Sequence, residues 1–233
     1  MKNKSVCHAS GSQKSTLLSN AKLSGALIYS IHPMFAFSNK NMSIEELEKI
    51  YFSIEGDLDE ENINNLPVIN LIKATGNKYF IRDIKDSASY HLANVFVSNL
   101  VLSLLHIGTS YLENLGLSEK QAIEALYPLI KGNIESIYNK GFKNSLTGPV
   151  ARGDIKTIEK HIEVLSPEHK NLYNSLSINL LKLVADCNYE KQHIQSEEYI
   201  SNCNSLKKEN ALKELLNTST KYKEIFRLLG GTE

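Results

Sequence analysis

The sequence predicts a partial α/β layer followed by an all-helical domain, with the change near Asp83. Three observations carry that expectation. Short β-type runs alternate with helical segments as far as Ile81, strand signals vanish from Asp83 onward, and the remainder reads as helix interrupted by polar or glycine-rich turns. The domains expected are residues 1–82 and 83–233.

Val6 to Ala9 reads as a short strand, Ser10-Gly11-Ser12 as a turn, Ser15 to Ala21 as a helical turn or two, and Ala26 to Ile31 as a second strand. Ser43-Ile44-Glu45-Glu46 is a capping box: the serine hydroxyl and the glutamate three residues on satisfy each other's free amides, so a short helix opens there. Tyr51 to Ile54 is a strand ended by Glu55-Gly56-Asp57, and Lys78 to Ile81 another. Between them Leu58 to Ala74 carries a helix with an irregular start around Asn62 to Pro67. This alternation suggests one edge of a parallel sheet.

Asp83 to Leu115 reads as one long apolar helix closed by Gly116. Ser118-Glu119-Lys120-Gln121 opens a second, running to about Tyr138 with Pro128 as a kink. Asn139 to Gly153 is a loop, helices cover Asp154 to Leu165, Pro167 to Asp186 and Leu206 to Leu229, and residues 188–205 form a polar loop.

Composition excludes several classes. Lys plus Arg equals Asp plus Glu at 26 each, and no basic stripe is interleaved with aromatics, so neither nucleic acid nor an anionic membrane is an expected partner. The longest apolar run, Leu92 to Gly108, is interrupted by Asn94, Ser98, Asn99, Ser103 and His106 and falls short of a membrane span, so it reads as a buried helix. Cys7, Cys187 and Cys203 make no C-x-x-C pair and fit reduced thiols; with no signal-like start, a cytoplasmic location is expected. The chain holds no G-x-G-x-x-G, no G-x-x-x-x-G-K-[ST], no G-x-S-x-G and no metal-spaced histidine pair. No metal site is expected.

Four segments could carry chemistry. Val6 to Gly11 runs a strand into a Ser-Gly turn, which places Ser10 and Gly11 where α/β sheets bind ligands. Ile31-His32-Pro33 ends a strand on a His-Pro step, and His32 suits either a structural strand cap or a functional role. On the long helix His91, Val95, Ser98, Asn99 and Leu102 fall at spacings of three and four, so His91 and Asn99 would share a face. Polar groups among so much apolar surface need partners, within the fold or on a ligand. Thr147-Gly148-Pro149-Val150-Ala151-Arg152-Gly153-Asp154 combines turn formers with a guanidinium whose planar fork suits a carboxylate or phosphate. Its plainer reading is a helix N-terminus capped by Asp154, with Arg152 paired to an acid.

In this order and approximate spacing, Val6 to Gly11, Gly25 to Phe37 with Ile31-His32-Pro33, Ile54 to Asp57, Tyr90-His91 with Ser98-Asn99, and Leu146 to Asp154 resemble the Rossmann-like, DUF2520 domain-containing proteins. The match runs from about Val6 to Ala185, and Leu206 to Glu233 match nothing. The resemblance implies a fold similar to pyrroline-5-carboxylate reductase and the hydroxyacid dehydrogenases. A partial Rossmann-like layer would be followed by a helical domain like the C-terminal one of 6-phosphogluconate dehydrogenase, completing the substrate pocket and forming a homodimer through Asp83 to Tyr138. It further implies an NAD- or NADP-dependent oxidoreductase of a small keto, imino or hydroxy acid. Ser10, Gly11, His32 and Pro33 would face the nicotinamide end. His91 and Asn99 would act at the reacting centre, with His91 as proton donor, and Arg152, with Thr147 and Asp154, would hold a substrate carboxylate. Set against such proteins, the sequence lacks a glycine-rich first turn and about 80 residues, or roughly three strand–helix units. Little activity is then expected from the chain alone. The alternative is a non-catalytic remnant or a dimerising helical module.

Overall fold

A computed structural model describes residues 1–2, 4–37, 40–58, 63–193 and 205–232. The chain forms two compact units, Met1–Glu119 and Lys120–Glu233.

The first unit is built on a four-stranded sheet in the order β1 (Ser5–His8), β2 (Leu27–Met34), β3 (Tyr51–Gly56), β4 (Lys78–Ile81). The helices between them are α1 (Ser19–Leu23), α2 (Ile44–Leu47) and α3 (Pro67–Ala74). The expected parallel edge is only partly realised: β1 with β2 and β3 with β4 are parallel, but β2 and β3 are antiparallel. A helix of four residues rises about 6 Å, against about 26 Å for an eight-residue strand, so α2 does not carry the chain back to the start of β2. The capping box forms as the sequence requires: Ser43 Oγ accepts from the Glu46 amide and Glu46 Oε2 accepts from the Ser43 amide.

Two strands outrun their sequence limits. β2 continues through Pro33 to Met34, because β1 pairs with β2 only as far as Ser30 and the missing proline N–H therefore faces no neighbour. β3 continues through Glu55 and Gly56, residues that read as breakers in isolation. Gly56 has φ 145, and a Cβ there would lie 2.2 Å from the Ile28 carbonyl oxygen, so only glycine fits.

Alternation of side chains gives the sheet two different faces. Tyr29, Ile31, Phe52, Ile54 and Tyr79 pack with Val68, Ile69 and Ile72 of α3 in an apolar layer. Ser30, His32, Ser53 and Glu55 lie on the other face, since Ser30 pairs with Glu55 and His32 with Ser53.

Beyond β4 the expected single helix is two, α4 (Ser87–Val97) and α5 (Asn99–Glu113). They part at Ser98 (φ −119, ψ −82), whose hydroxyl donates to the Asn94 carbonyl at 2.6 Å and competes with the helical hydrogen bonds. Nor is the apolar run buried. Leu92, Phe96, Val97, Leu100, Leu102 and Leu104 are exposed. Within Ile84–Glu113 an 18-residue stretch has a mean hydropathy of 1.5, apolar enough by length and composition to cross a membrane; core helices of soluble proteins can be as apolar, but those are mostly buried and this stretch is mostly exposed.

The second unit is helical throughout its described residues: α6 (Glu119–Ser145), α7 (Pro149–Arg152), α8 (Ile155–Val164), α9 (Lys170–His193), α10 (Ser205–Thr218) and α11 (Thr220–Leu228). α6 outlasts its expected end near Tyr138, with Pro128 inside it and the interruption at Gly141 (φ 73, ψ 170). Of the expected polar loop, residues 188–193 belong to α9 and 194–204 lie outside the described residues. The C-terminal helix divides at Ser219, whose backbone is extended. This tail is core: Ala211, Leu215, Ile225, Phe226 and Leu229 pack with Val150, Ile158, Leu181 and Val184.

Candidate functional site

The polar face of the sheet buries a connected cluster that the sequence reading missed. Its centre is Arg82, one residue beyond β4 and only 6% exposed. Nε donates to Ser53 Oγ at 2.9 Å, Nη1 to Ser87 Oγ at 2.5 Å and Nη2 to Ser30 Oγ at 3.2 Å. Nη2 also lies 4.0 Å from Glu55 Oε2. Glu55, 1% exposed, accepts from the Ser15 amide at 2.9 Å and its hydroxyl at 2.6 Å. Burial of a charge is tolerated only when its hydrogen bonds are made, and both ions meet that condition. The available signal was serine or glutamate at alternate positions of two strands, which seats a polar row on one sheet face.

Tyr90, on the first turn of α4, covers this cluster. The Arg82 guanidinium sits 4.8 Å from its ring centroid, and its hydroxyl lies 2.5 Å from His32 Nδ1. The two rings meet edge to face at 5.7 Å. Burial, then the charge of Arg82, then His91 push the His32 imidazole below its ordinary value, so it is held neutral. Burial raises the Tyr90 phenol, while hydrogen bonding from Ser53 and Asn94 and the Arg82 charge pull the other way.

His32 lies against the turn after β1. A Cβ on the buried Gly11 would stand 2.9 Å from His32 Cε1 and 3.0 Å from both ring nitrogens, so the absent side chain is what admits the ring. Ser10 joins the same corner, its carbonyl accepting from Ser30 Oγ at 3.1 Å. Ser10, Gly11 and His32 thus come together where the parallel strands β1 and β2 reach their carboxyl ends, and Pro33 follows in β2. Nearby, a cavity of about 380 Å³ is bordered by Ser15, Glu55 and Arg82 and by the Lys22–Asp57 ion pair.

Among the described residues the other expected ones are not hydrogen-bonded members of this cluster, though the charge of His91 acts on His32. His91 is exposed on α4, and Asn99 is exposed at the start of α5, accepting from Ser98 Oγ at 3.1 Å. The break at Ser98 removes the continuous helix that was to put them on one face. Thr147, Arg152 and Asp154 belong to the second unit. There Asp154 caps α8, accepting from the Thr157 amide at 3.2 Å and hydroxyl at 2.7 Å, which holds its carboxyl below the usual range. The Arg152 guanidinium is exposed and stands 4.0 Å from Asp154, while α11 braces the segment through Lys221 to the Arg152 carbonyl and Tyr222 to the Ala151 carbonyl.

A mixed α/β layer followed along the chain by helices, with a polar corner at the carboxyl ends of its parallel strands, defines a Rossmann-like fold. The chain belongs to the DUF2520 family, a domain of unknown function, whose profile matches residues 50–180. Two solved structures are similar to it. A Thermotoga maritima protein aligns with a TM-score of 0.58 and 28% identity, over 80% of this chain and 70% of that one. A Bacteroides fragilis protein named as a candidate NADP oxidoreductase aligns with a TM-score of 0.59 and 23% identity, over 76% of this chain and 65% of that one. The chain therefore spans less than two thirds of the Bacteroides protein. No protein of curated function matches the sequence.

Proposed function

We propose that the chain contributes the nicotinamide-end wall of an NAD- or NADP-dependent oxidoreductase that acts on a small keto, imino or hydroxy acid. The observation that carries this reading is the Ser10, Gly11, His32 corner at the carboxyl ends of two parallel strands, the place where open α/β sheets take their ligands. These residues would offer a nicotinamide ring backbone donors in the turn and a neutral imidazole held against Gly11. They do not fit a pyrophosphate, because the sequence offers no G-x-G-x-x-G turn to hold one. A bound reduced nicotinamide would supply a hydride. Arg152, with Thr147 and Asp154 beside it, would take the substrate carboxylate, and His91 and Asn99 would serve the reacting centre. Saturation-transfer NMR with millimolar NADPH tests the reading. Weak binding with transfer to the nicotinamide protons, and less to the adenine, is the expected result; no transfer to the nicotinamide would overturn it.

A second copy of the chain is the partner we propose for the apolar face of α4 and α5. Exposed Phe96, Leu100 and Leu102 there, with Ile123, Tyr127 and Ile134 on α6, favour a homodimer through residues 83–138. This arrangement serves either the enzyme or a non-catalytic dimerising module.

A further inference from the structure

We propose that the cavity of about 380 Å³ at the carboxyl ends of β3 and β4 is a binding site for a free α-amino acid with an aliphatic side chain, taken as the zwitterion.

The first ground is what the two buried ions leave unspent. A guanidinium carries one N–H on Nε and a pair on each Nη. Ser53, Ser87 and Ser30 take one from each nitrogen of Arg82, so Nη1 and Nη2 each keep an N–H with no acceptor among the described residues. Glu55 is its counterpart. The two carboxylate oxygens accept from Ser15, and Oε2 stands 4.0 Å from Arg82 Nη2, too far for a direct hydrogen bond. The serines hold both ions in place without exhausting them. A buried cation with donors to spare and a buried anion with lone pairs to spare thus border one cavity.

Charge selects the kind of ligand. Around the cavity Arg82 and Lys22 stand against Glu55 and Asp57, and the exposed Asp83 is balanced by Lys85 at 3.0 Å. A carboxylate or an ammonium added alone would upset that balance beside buried ions, where water screens little. A zwitterion keeps it. Its carboxylate accepts from Arg82 while its ammonium donates to Glu55.

The remaining wall selects the side chain. Ile28, Leu58, Ile63, Ile81 and Ile84 make it largely aliphatic. The volume falls in the range of about 300–1,000 Å³ usual for small-molecule sites, where a few polar groups fix orientation and apolar walls take the rest. A branched aliphatic side chain matches such a wall, whereas glycine leaves it bare. β3 and β4 are the second parallel pair of this sheet, and the carboxyl ends of parallel strands are where open α/β sheets take ligands. Ser10, Gly11 and His32 do not border this cavity, and the site needs no cofactor.

The test is an amide chemical-shift titration of the nitrogen-15-labelled full chain with L-valine, read at Ser15, Gly56 and Asp83. Saturable shifts at these amides with millimolar L-valine are the expected result. Isovalerate and isobutylamine, which keep the side chain and one charge each, should bind about tenfold more weakly, as should glycine. Thr16 borders the cavity at an exposed position, so Thr16→Tyr should occupy the space and abolish the shifts with the melting temperature unchanged. No saturable shift with L-valine in the wild type overturns the site, and that measurement needs no variant to fold. Equal affinity for isovalerate or isobutylamine overturns the zwitterion. Shifts undiminished in a folded Thr16→Tyr chain put the ligand elsewhere and overturn the assignment to this cavity.

Discussion

Arg82 and Glu55 face each other at 4.0 Å in the interior of the first unit, yet each makes its short hydrogen bonds to serines and not to the other. The pair is a charge balance threaded through hydroxyls. Removing one member leaves the other buried and uncompensated, which sets the first expectation.

Arg82→Met should cost about 3–5 kcal/mol of unfolding free energy, because Glu55 keeps its charge without the cation while three serine hydroxyls lose a donor. Adding Glu55→Gln should cost less in that background than in the wild type, since no lone ion remains. Urea unfolding of the four proteins measures the coupling, and strictly additive losses would contradict it.

Stability should fall in mild acid through His32. Its folded value lies below the ordinary one of about 6.5, so the unfolded chain takes up the proton first as pH drops. The contribution is complete above about pH 6.5 and is lost as pH falls through the lower folded value. Melting temperatures between about pH 8 and about pH 5 should decline less steeply in His32→Gln.

Arg152→Lys should leave the melting temperature nearly unchanged, because the guanidinium is exposed and Asp154, its acidic neighbour, stands 4.0 Å away. It should weaken binding of a carboxylate probe such as pyruvate about tenfold, or about 1.4 kcal/mol, since an ammonium cannot copy the two-point grip of a guanidinium. Chemical-shift titration reads the affinity directly. Loss of stability with affinity retained would return Arg152 to a bracing role.

The chain should sediment at about twice 26.1 kDa, as a dimer through the face that includes Leu102. Leu102 is exposed in the folded chain, so Leu102→Asp should give a folded monomer. A monomeric wild type would remove the dimer from the proposal.

Much of this architecture was legible locally. The Ser43 capping box, the strand at Lys78 and the cap at Asp154 each follow from a few adjacent residues, and each is where the sequence placed it. What escaped depends on neighbours distant in the chain. Glu55 looks like a strand breaker until Ser15, 40 residues earlier, is seen to satisfy it. Arg82 looks like the first residue of a turn until three serines from β2, β3 and α4 converge on it. His32 was legible as a residue of interest, but Tyr90, 58 residues on, is what gives its ring a direction. The break at Ser98 was hidden because apolar periodicity continues across it, and only the serine hydroxyl's pull on the Asn94 carbonyl distinguishes two helices from one.

The opposed faces of the sheet also govern how it can assemble. If β3 slipped by one residue against β2, Glu55 would enter the apolar layer under α3 and Ile54 would meet the guanidinium of Arg82. Each stranded ion would then cost several kcal/mol. Mispaired sheets would therefore be short-lived instead of becoming traps. The buried charges act as a proofreader during folding, and what they withhold in ultimate stability they return as a single permitted register.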